Sequence, residues 1–233
     1  MSELLGDPLA LVAKHSIWIL PVLLAITFHE ASHGWMALKF GDDTAKRLGR
    51  VTFNPLRHID PFGTVLLPLL FYIGFGIPFG YAKPVPVNFA RLYNPKRDMV
   101  WVAAAGPGTN ILLALASGVL LHLTGLLPQS VGRWADAMLT FSVLINVVMA
   151  LFNMIPLPPL DGGRVAVGLL PMRLAIALQR TERYGFFVLI ALVVLLPLVG
   201  NELGMNLNIV WLVLEPLVDW LAELILRVTG HWE

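Results

Sequence analysis

His29, Glu30 and His33 form the pattern His-Glu-x-x-His within a strongly apolar segment. Side chains four residues apart lie on the same face of an α-helix, so the two imidazoles can bind a single metal ion. Glu30 is placed to accept a proton from a water molecule at that metal. This combination is typical of zinc peptidases. No charged residue occurs between Ile17 and Phe28, so the pattern predicts peptide-bond hydrolysis at or within a membrane.

The composition places these residues in an integral membrane protein. Of the 233 residues, 57% are hydrophobic and 13% are charged, whereas soluble domains average about 45–50% apolar and about 25% charged residues. The segments are apolar on every side rather than alternating, which favours helices over a β-barrel. A net charge of +1 argues against a nucleic-acid partner. Because the chain has no cysteine, histidine and carboxylate side chains remain as metal ligands.

Six apolar stretches follow one another and predict a single membrane-embedded domain over residues 1–233. They cover residues 16–39, 62–79, 99–123, 137–156, 184–198 and 209–226. A helix needs about 20 apolar residues to span a bilayer, so we expect an all-α polytopic protein with five to six transmembrane helices. The second stretch is short and interrupted by glycine and proline, so it either spans the membrane or re-enters it.

Basic residues in the flanking loops distinguish these two possibilities. Four precede the second stretch and four follow it: Lys46, Arg47, Arg50, Arg57, Lys83, Arg91, Lys96 and Arg97. Positively charged loops favour the cytoplasmic side, and both loops share that side only if the stretch enters the membrane and returns. We therefore expect five crossings and a re-entrant, β-like region near residues 62–90. The N-terminus would then lie outside and the C-terminus in the cytoplasm.

A catalytic zinc site usually has three protein ligands and an open position, so a third ligand is needed. Asp161 is the best candidate, because it is an ionisable residue beside a membrane segment and the prolines before it break the helix. Asp161 could alternatively be a turn residue. Asn153 could donate a hydrogen bond to a developing oxyanion, with Asn146 as a weaker candidate. Either asparagine could instead form a hydrogen bond between helices.

Two features near the second stretch have both a functional and a structural interpretation. His58 could fold over the metal as a gating or accessory ligand, although a loop histidine bonded to backbone is the commoner case. Residues 83–88, Lys-Pro-Val-Pro-Val-Asn, have prolines at alternate positions, which suits an edge strand. An extended substrate could pair alongside such a strand.

Three separated motifs resemble those of the site-2 proteases, the intramembrane zinc metalloproteases of peptidase family M50. They are His-Glu-Ala-Ser-His at 29–33, a Gly-Pro-Gly-Thr-Asn turn at 106–110 opening the third stretch, and Asn-x-x-Pro-x-Pro-x-x-Asp-Gly-Gly at 153–163. The resemblance implies Zn²⁺ bound by His29, His33 and Asp161, with Glu30 as general base. It also implies a transmembrane helix as substrate. Unlike larger members of the family, the chain shows no PDZ or CBS module.

The leading interpretation is therefore an intramembrane zinc endopeptidase that cleaves transmembrane segments of membrane-tethered proteins. We expect a multi-pass protein of the cell membrane, the cytoplasmic membrane of a prokaryote, with its active site toward the cytoplasm. Its partners would be a transmembrane substrate and the lipid bilayer, and a homodimer is left open. One alternative is a catalytically idle relative that binds transmembrane helices, which Glu30 argues against. The other is a metal or proton transporter, which usually shows inverted repeats that are not evident here.

Overall fold

The computed structural model describes residues 8–75, 80–81 and 83–231, and these residues form helices and loops without a β-strand. The α-helices are, in chain order, α1 (Pro8–Lys39), α2 (Thr44–Arg47), α3 (Leu67–Phe75), α4 (Pro95–Leu121), α5 (Gln129–Asn153), α6 (Asp161–Leu169), α7 (Met172–Arg180), α8 (Glu182–Ile190), α9 (Leu196–Glu202) and α10 (Ile209–Val228). A π-helix, Pro61–Leu66, precedes α3, and another, Ala191–Leu195, joins α8 to α9.

The polytopic, all-α architecture predicted from composition is confirmed. Within the described residues, four helical segments are long and apolar enough to cross a membrane: Leu11–Lys39, Pro95–Leu126, Gln129–Asn153 and Glu182–Glu202. This number is lower than the five predicted crossings. The difference is α10, which is 20 residues long but includes Glu215, Asp219, Glu223 and Arg227.

Helices α1, α4 and α5 pack side by side at the centre of the fold. The chain just before α4 meets the end of α1, where Tyr93 N donates to Phe40 O at 2.9 Å. At the other end of α1, Trp134 near the start of α5 donates its indole N–H to Ser16 Oγ at 2.9 Å. These contacts make α4 antiparallel to both α1 and α5.

The predicted turn at residues 106–110 is wrong, because these residues lie inside α4. Glycine and proline usually interrupt helices in water, where the backbone can bond to solvent. In an apolar layer no such alternative partner exists, so transmembrane helices tolerate both residues. Pro107 is accommodated inside α4 in this way.

The second apolar stretch brings its two ends together, while its re-entry into a membrane stays a prediction. The Asp60 carboxylate caps its first turn and accepts a hydrogen bond from Gly63 N at 2.7 Å. At the other end, Tyr81 N donates to Gly63 O at 2.9 Å, so the two ends of the stretch lie together. Residues 76–79 of the predicted stretch lie outside the described residues. The predicted β-like character is not found in the described chain, where residues 83–88 form a loop without regular secondary structure.

Helix α10 runs in the same direction as α4. The His122 imidazole, just after α4, donates to Thr229 O at 2.6 Å, and His231 donates to Gly118 O at 2.8 Å. The C-terminal end of α10 therefore lies at the same end of the bundle as the start of α1. Loop charges predict opposite sides for the two termini, because the loop at 201–208 has no basic residue and such a loop favours the outside. The direction of α10 is determined by its packing against α4 and α5. Loop charges carry no information about this packing.

Candidate metal centre

His29, His33 and Asp161 come together as a compact, buried group. The two Nε2 atoms are 3.0 Å apart, and Asp161 Oδ2 lies 3.1 Å from His29 Nε2 and 3.3 Å from His33 Nε2. Ligand atoms about 2.0–2.1 Å from a tetrahedral zinc ion stand roughly 3.3 Å from one another. The three residues are 4%, 7% and 6% exposed. Donor types, spacing and burial therefore fit zinc.

The hydrogen bonds behind the imidazoles direct both Nε2 lone pairs toward one point. His33 Nδ1 lies 2.7 Å from Val102 O, and a carbonyl only accepts, so Nδ1 carries the hydrogen. His29 Nδ1 lies 2.6 Å from Asn110 Oδ1, while the Asn110 amide nitrogen donates to Asn146 Oδ1 at 2.8 Å. Metal-binding histidines typically have their second nitrogen fixed in this manner. Asp161 Oδ2 forms no hydrogen bond to any described residue, although it lies 3.1 and 3.3 Å from the two Nε2 atoms, as expected of a third ligand to a shared metal ion.

Gly106 provides the space that these imidazoles occupy. A Cβ atom at this position would lie 2.4 Å from His33 Nε2 and 2.6 Å from His29 Nε2. Asn110 follows one helical turn later on the same face of α4. Residues 106–110 were predicted as a turn motif, and the role of Asn110 as the partner of His29 was missed. The four-residue spacing of Gly106 and Asn110 was the available signal.

Two glycines bring Asp161 to the histidines. A Cβ atom on Gly162 would lie 2.2 Å from Met154 O, and one on Gly163 would lie 2.3 Å from Pro158 N. Only glycine therefore allows the first turn of α6 to pack this closely on the loop that follows α5. Asp161 is the first residue of α6 and reaches α1 from that turn.

Glu30 is hydrogen-bonded to the loop segment at 83–88. Its Oε2 atom accepts a hydrogen bond from Val85 N at 2.7 Å. Pro84 and Pro86 have no backbone N–H, so Val85 supplies the one donor at the centre of the segment. The carboxylate of the predicted general base is thus oriented by main chain from outside its own helix.

Further contacts hold this segment against the rest of the fold. Arg50, which is 7% exposed, donates from Nη2 to Lys83 O at 2.7 Å. Lys83 N donates to His58 O at 3.0 Å, and Asn88 N donates to Asp42 Oδ2 at 2.7 Å. The segment is therefore fixed at both ends, with its centre on Glu30.

The carboxylate of Asp42 anchors the far end of the segment, outside the membrane-spanning helices. It is fully buried and accepts hydrogen bonds from Thr44 N at 3.0 Å, from the Thr44 hydroxyl and from Asn88 N. Burial alone would raise the pKa of Asp42. The hydrogen bonds, together with the nearby Arg91 guanidinium, nevertheless hold this pKa below its ordinary value of 3.8.

The two asparagines that the sequence suggested as hydrogen-bond donors to an oxyanion occupy different positions. Asn146 is 1% exposed and contacts Asn110, so it supports His29 indirectly. Asn153, the last residue of α5, donates its amide nitrogen to Met149 O at 2.9 Å. One N–H of that amide remains for another acceptor.

His58 lies in the loop before the re-entrant stretch, outside the group of three metal-binding candidates. It is 2% exposed, and its Nε2 atom lies 2.9 Å from Thr52 O. Its own carbonyl accepts from Lys83 N. These contacts correspond to the structural interpretation of His58, a buried loop histidine bonded to backbone.

A polytopic helical fold with a buried His-His-Asp group beside a glutamate defines a membrane-embedded metallopeptidase. Comparison with known proteins gives the family. Residues 128–196 match the model of Peptidase family M50. The chain is 37% identical over 198 residues to YwhC of Bacillus subtilis (strain 168), covering 83% of this chain and 86% of YwhC.

Two more distant relatives agree. Rip2 of Mycolicibacterium smegmatis is 28% identical over 191 residues, which cover 80% of this chain and 70% of Rip2. MJ0611 of Methanocaldococcus jannaschii is 29% identical over 138 residues, which cover 59% of this chain and 62% of MJ0611. All three relatives are named as zinc metalloproteases, and no solved structure gives a significant match. The chain belongs to peptidase family M50 and is a zinc metalloprotease.

Proposed function

We propose that this metalloprotease cleaves transmembrane segments of membrane-tethered proteins inside the bilayer. The observation that supports this is the depth of the His29–His33–Asp161 group. Both histidines lie in the membrane-spanning segment Leu11–Lys39, and their hydrogen-bond partners lie in the segment Pro95–Leu126. A peptide bond must enter the apolar layer to reach them, which selects a substrate that is itself membrane-embedded.

Each residue of the site has a distinct role in this proposal. His29, His33 and Asp161 would hold the zinc ion, which when bound lowers the pKa of water toward about 7 and polarises the scissile carbonyl. Glu30 takes a proton from the attacking water and passes it to the leaving amine. Asn153 directs its remaining amide N–H toward the oxyanion that develops on the scissile carbonyl.

The substrate has to be extended before it is cut, because the carbonyls of a helix are engaged in its own hydrogen bonds. Residues 83–88 form a loop next to Glu30. Pro84 and Pro86 favour an extended backbone for themselves and for the residues before them. Where Pro84 and Pro86 occur, the segment has carbonyl acceptors without N–H donors. A substrate strand would donate its N–H groups to those carbonyls, which aligns its backbone beside Glu30.

The charge distribution supports an active site toward the cytoplasm. The end of α1 that follows the metal-binding candidates adjoins the loops that carry most basic residues, and such loops favour the cytoplasmic side. The proposed location is the cytoplasmic membrane of a prokaryote. A homodimer is not required, since one chain supplies Glu30 and all three zinc ligands.

The decisive experiment compares zinc content and cleavage in liposomes. Wild type, Glu30→Gln and Asp161→Ala are each reconstituted with a panel of fluorescent single-span reporter proteins. We expect Glu30→Gln to retain about one zinc per chain and to lose cleavage by a factor of roughly 10³ or more. Asp161→Ala should lose both zinc and cleavage. Glu202→Gln, at an exposed glutamate far along the chain, is the matched control and should behave like wild type.

Two outcomes would contradict the proposal. Full cleavage by Glu30→Gln would remove Glu30 from the mechanism. Zinc-loaded wild type that cleaves no member of the panel would instead support the idle, helix-binding relative.

A further inference from the structure

Helix α10 carries a stripe of charged side chains on its outward face. Glu215, Asp219, Glu223 and Arg227 follow one another at four-residue intervals, and all four are exposed. The opposite face of α10 is apolar and packs against α4 and α5 through Val218 and Ile225, and Leu214 on the same face is also buried. The stripe therefore points away from the bundle.

The stripe lies beside the middle of two helices that are long and apolar enough to span a membrane. Val218 packs in one cluster with Ala114, Val143 and Val147, which occupy the middle of α4 and α5. Both of those helices lie in segments long and apolar enough to span a membrane. Ionisable residues within transmembrane segments are rare, and they usually pair with a partner of opposite charge or face a polar cavity.

The charges of the stripe are only partly paired within the chain. Arg227 forms an ion pair with Glu223 one turn earlier. Glu215 and Asp219 form no ion pair with any residue that the structure describes. Two carboxylates thus remain for a partner to neutralise.

Pro216 adds a third acceptor to the same face. Because proline has no N–H, the carbonyl of Leu212 loses its usual helical donor. Leu212 and Pro216 are both exposed and lie next to the two unpaired carboxylates. The face offers acceptors without donors, and apolar side chains surround it, including Val213, Leu217 and Trp220.

A second copy of the chain does not complement this face. Copies in one membrane are related by an axis along the membrane normal, so their α10 helices would be parallel. Glu215 would then face Glu215 and Asp219 would face Asp219, which is repulsive. A complementary partner must instead supply positive charge and hydrogen-bond donors.

We propose that the outward face of α10 binds a transmembrane helix of another protein that carries Lys or Arg residues four positions apart. This docking surface is separate from the metal centre. Helices α1 and α10 each pack on the α4–α5 pair without forming a packed interface with one another. The partner helix would therefore associate without occupying the proposed active site.

The test measures association in lipid nanodiscs by energy transfer. An acceptor dye is placed on Asn206→Cys of the full chain, which has no native cysteine. The probe is a donor-labelled Leu/Ala transmembrane peptide of about 22 residues with two central lysines four positions apart. The comparison peptide has glutamine at both positions. We expect the lysine peptide to bind roughly tenfold more tightly or better.

Neutral variants make the test specific. Glu215→Gln with Asp219→Asn should abolish the preference for the lysine peptide. Asp136→Asn with Glu202→Gln removes two exposed carboxylates elsewhere on membrane helices and should preserve the preference. Zinc content should be unchanged in both.

Three results would overturn the inference. They are equal binding of the two peptides, a preference that survives in the α10 variant, and self-association of the chain that the α10 variant abolishes. None of these readouts requires peptide cleavage, so their failure is distinguishable from failure of the proposed protease activity.

Discussion

Gly106 is the residue at which a single methyl group should affect the metal centre most directly. Gly106→Ala places Cβ within 2.4–2.6 Å of both imidazole Nε2 atoms, so one ring must move. We expect zinc affinity to fall roughly tenfold or more, measured by metal analysis of purified protein. Gly108→Ala is the matched control, because a Cβ there meets nothing within 4 Å on the same helix. Equal zinc affinity in both variants would contradict the geometry.

Asn110 and Asn153 should separate metal binding from catalysis. Asn110→Ala removes the acceptor for His29 Nδ1, so zinc affinity should fall about 10- to 100-fold. Asn153→Ala leaves the ligands untouched and should retain zinc while reporter cleavage decreases about 10²-fold. Zinc titration and cleavage assays on the two variants check both expectations. Normal cleavage by Asn153→Ala would remove it from the site.

The loop segment at 83–88 positions Glu30, and the buried side chain of Arg50 holds this segment in place. Arg50→Gln should free Lys83 O and let Val85 N leave the Glu30 carboxylate. Loss of a charge-assisted hydrogen bond corresponds to roughly 10- to 100-fold faster exchange of the Val85 amide hydrogen. Hydrogen-exchange mass spectrometry measures this directly.

The control for this element is Arg57→Gln, an exposed arginine in the same loop region. Its effect on Val85 exchange should be small. Unchanged exchange in Arg50→Gln, with zinc content also unchanged, would show that Glu30 alone holds the segment.

The anchor at Asp42 makes the same element sensitive to acid. Because the folded-state pKa of Asp42 lies below 3.8, the ionised carboxylate stabilises the fold above that pH, and the contribution is lost as pH falls through the folded-state value. Asp42→Asn should lower the free energy of unfolding by about 1–3 kcal/mol at neutral pH. The difference from wild type should narrow below about pH 4.

Thermal unfolding in detergent across this pH range provides the measurement, with Glu202→Gln as the exposed-carboxylate control. A difference between wild type and Asp42→Asn that stays constant down to the most acidic condition would contradict this role of the charge.

Local spacing in the sequence predicted the features of the site that depend on residues close together in the chain. The four-residue spacing of the two histidines predicted their shared face. Contacts between distant residues were beyond such reasoning. Asn110 meets His29 across 81 residues, and Arg50 reaches Lys83 across 33. Only the packing of α1, α4 and the loops makes these contacts, and no periodicity in the sequence encodes that packing.

At the scale of the whole molecule, the direction of α10 distinguishes the structure from the topology predicted by loop charge. The contacts of His122 and His231 place the end of α10 beside the end of α4. The loop before α10 must then lie at the end of the bundle where α5 finishes. The segment Glu182–Glu202 starts at that same end, where Gly185 packs against Pro158, so it does not carry the chain to the opposite end although its length would allow a crossing. A count of basic residues cannot determine this, because that loop contains none.

Single-cysteine labelling tests the direction of α10 on a chain with no native cysteine. Lys46→Cys and Asn206→Cys should react with a membrane-impermeant maleimide from one side of sealed vesicles. Ser130→Cys and Val228→Cys should react from the other side. The charge-based topology instead predicts that positions 46 and 228 share a side. Ser130 lies in the first turn of α5, at the end of the bundle where α1 starts. Labelling of positions 130 and 228 from the same side would establish that α4 and α10 are parallel. Labelling from opposite sides would show that α10 runs in the reverse direction.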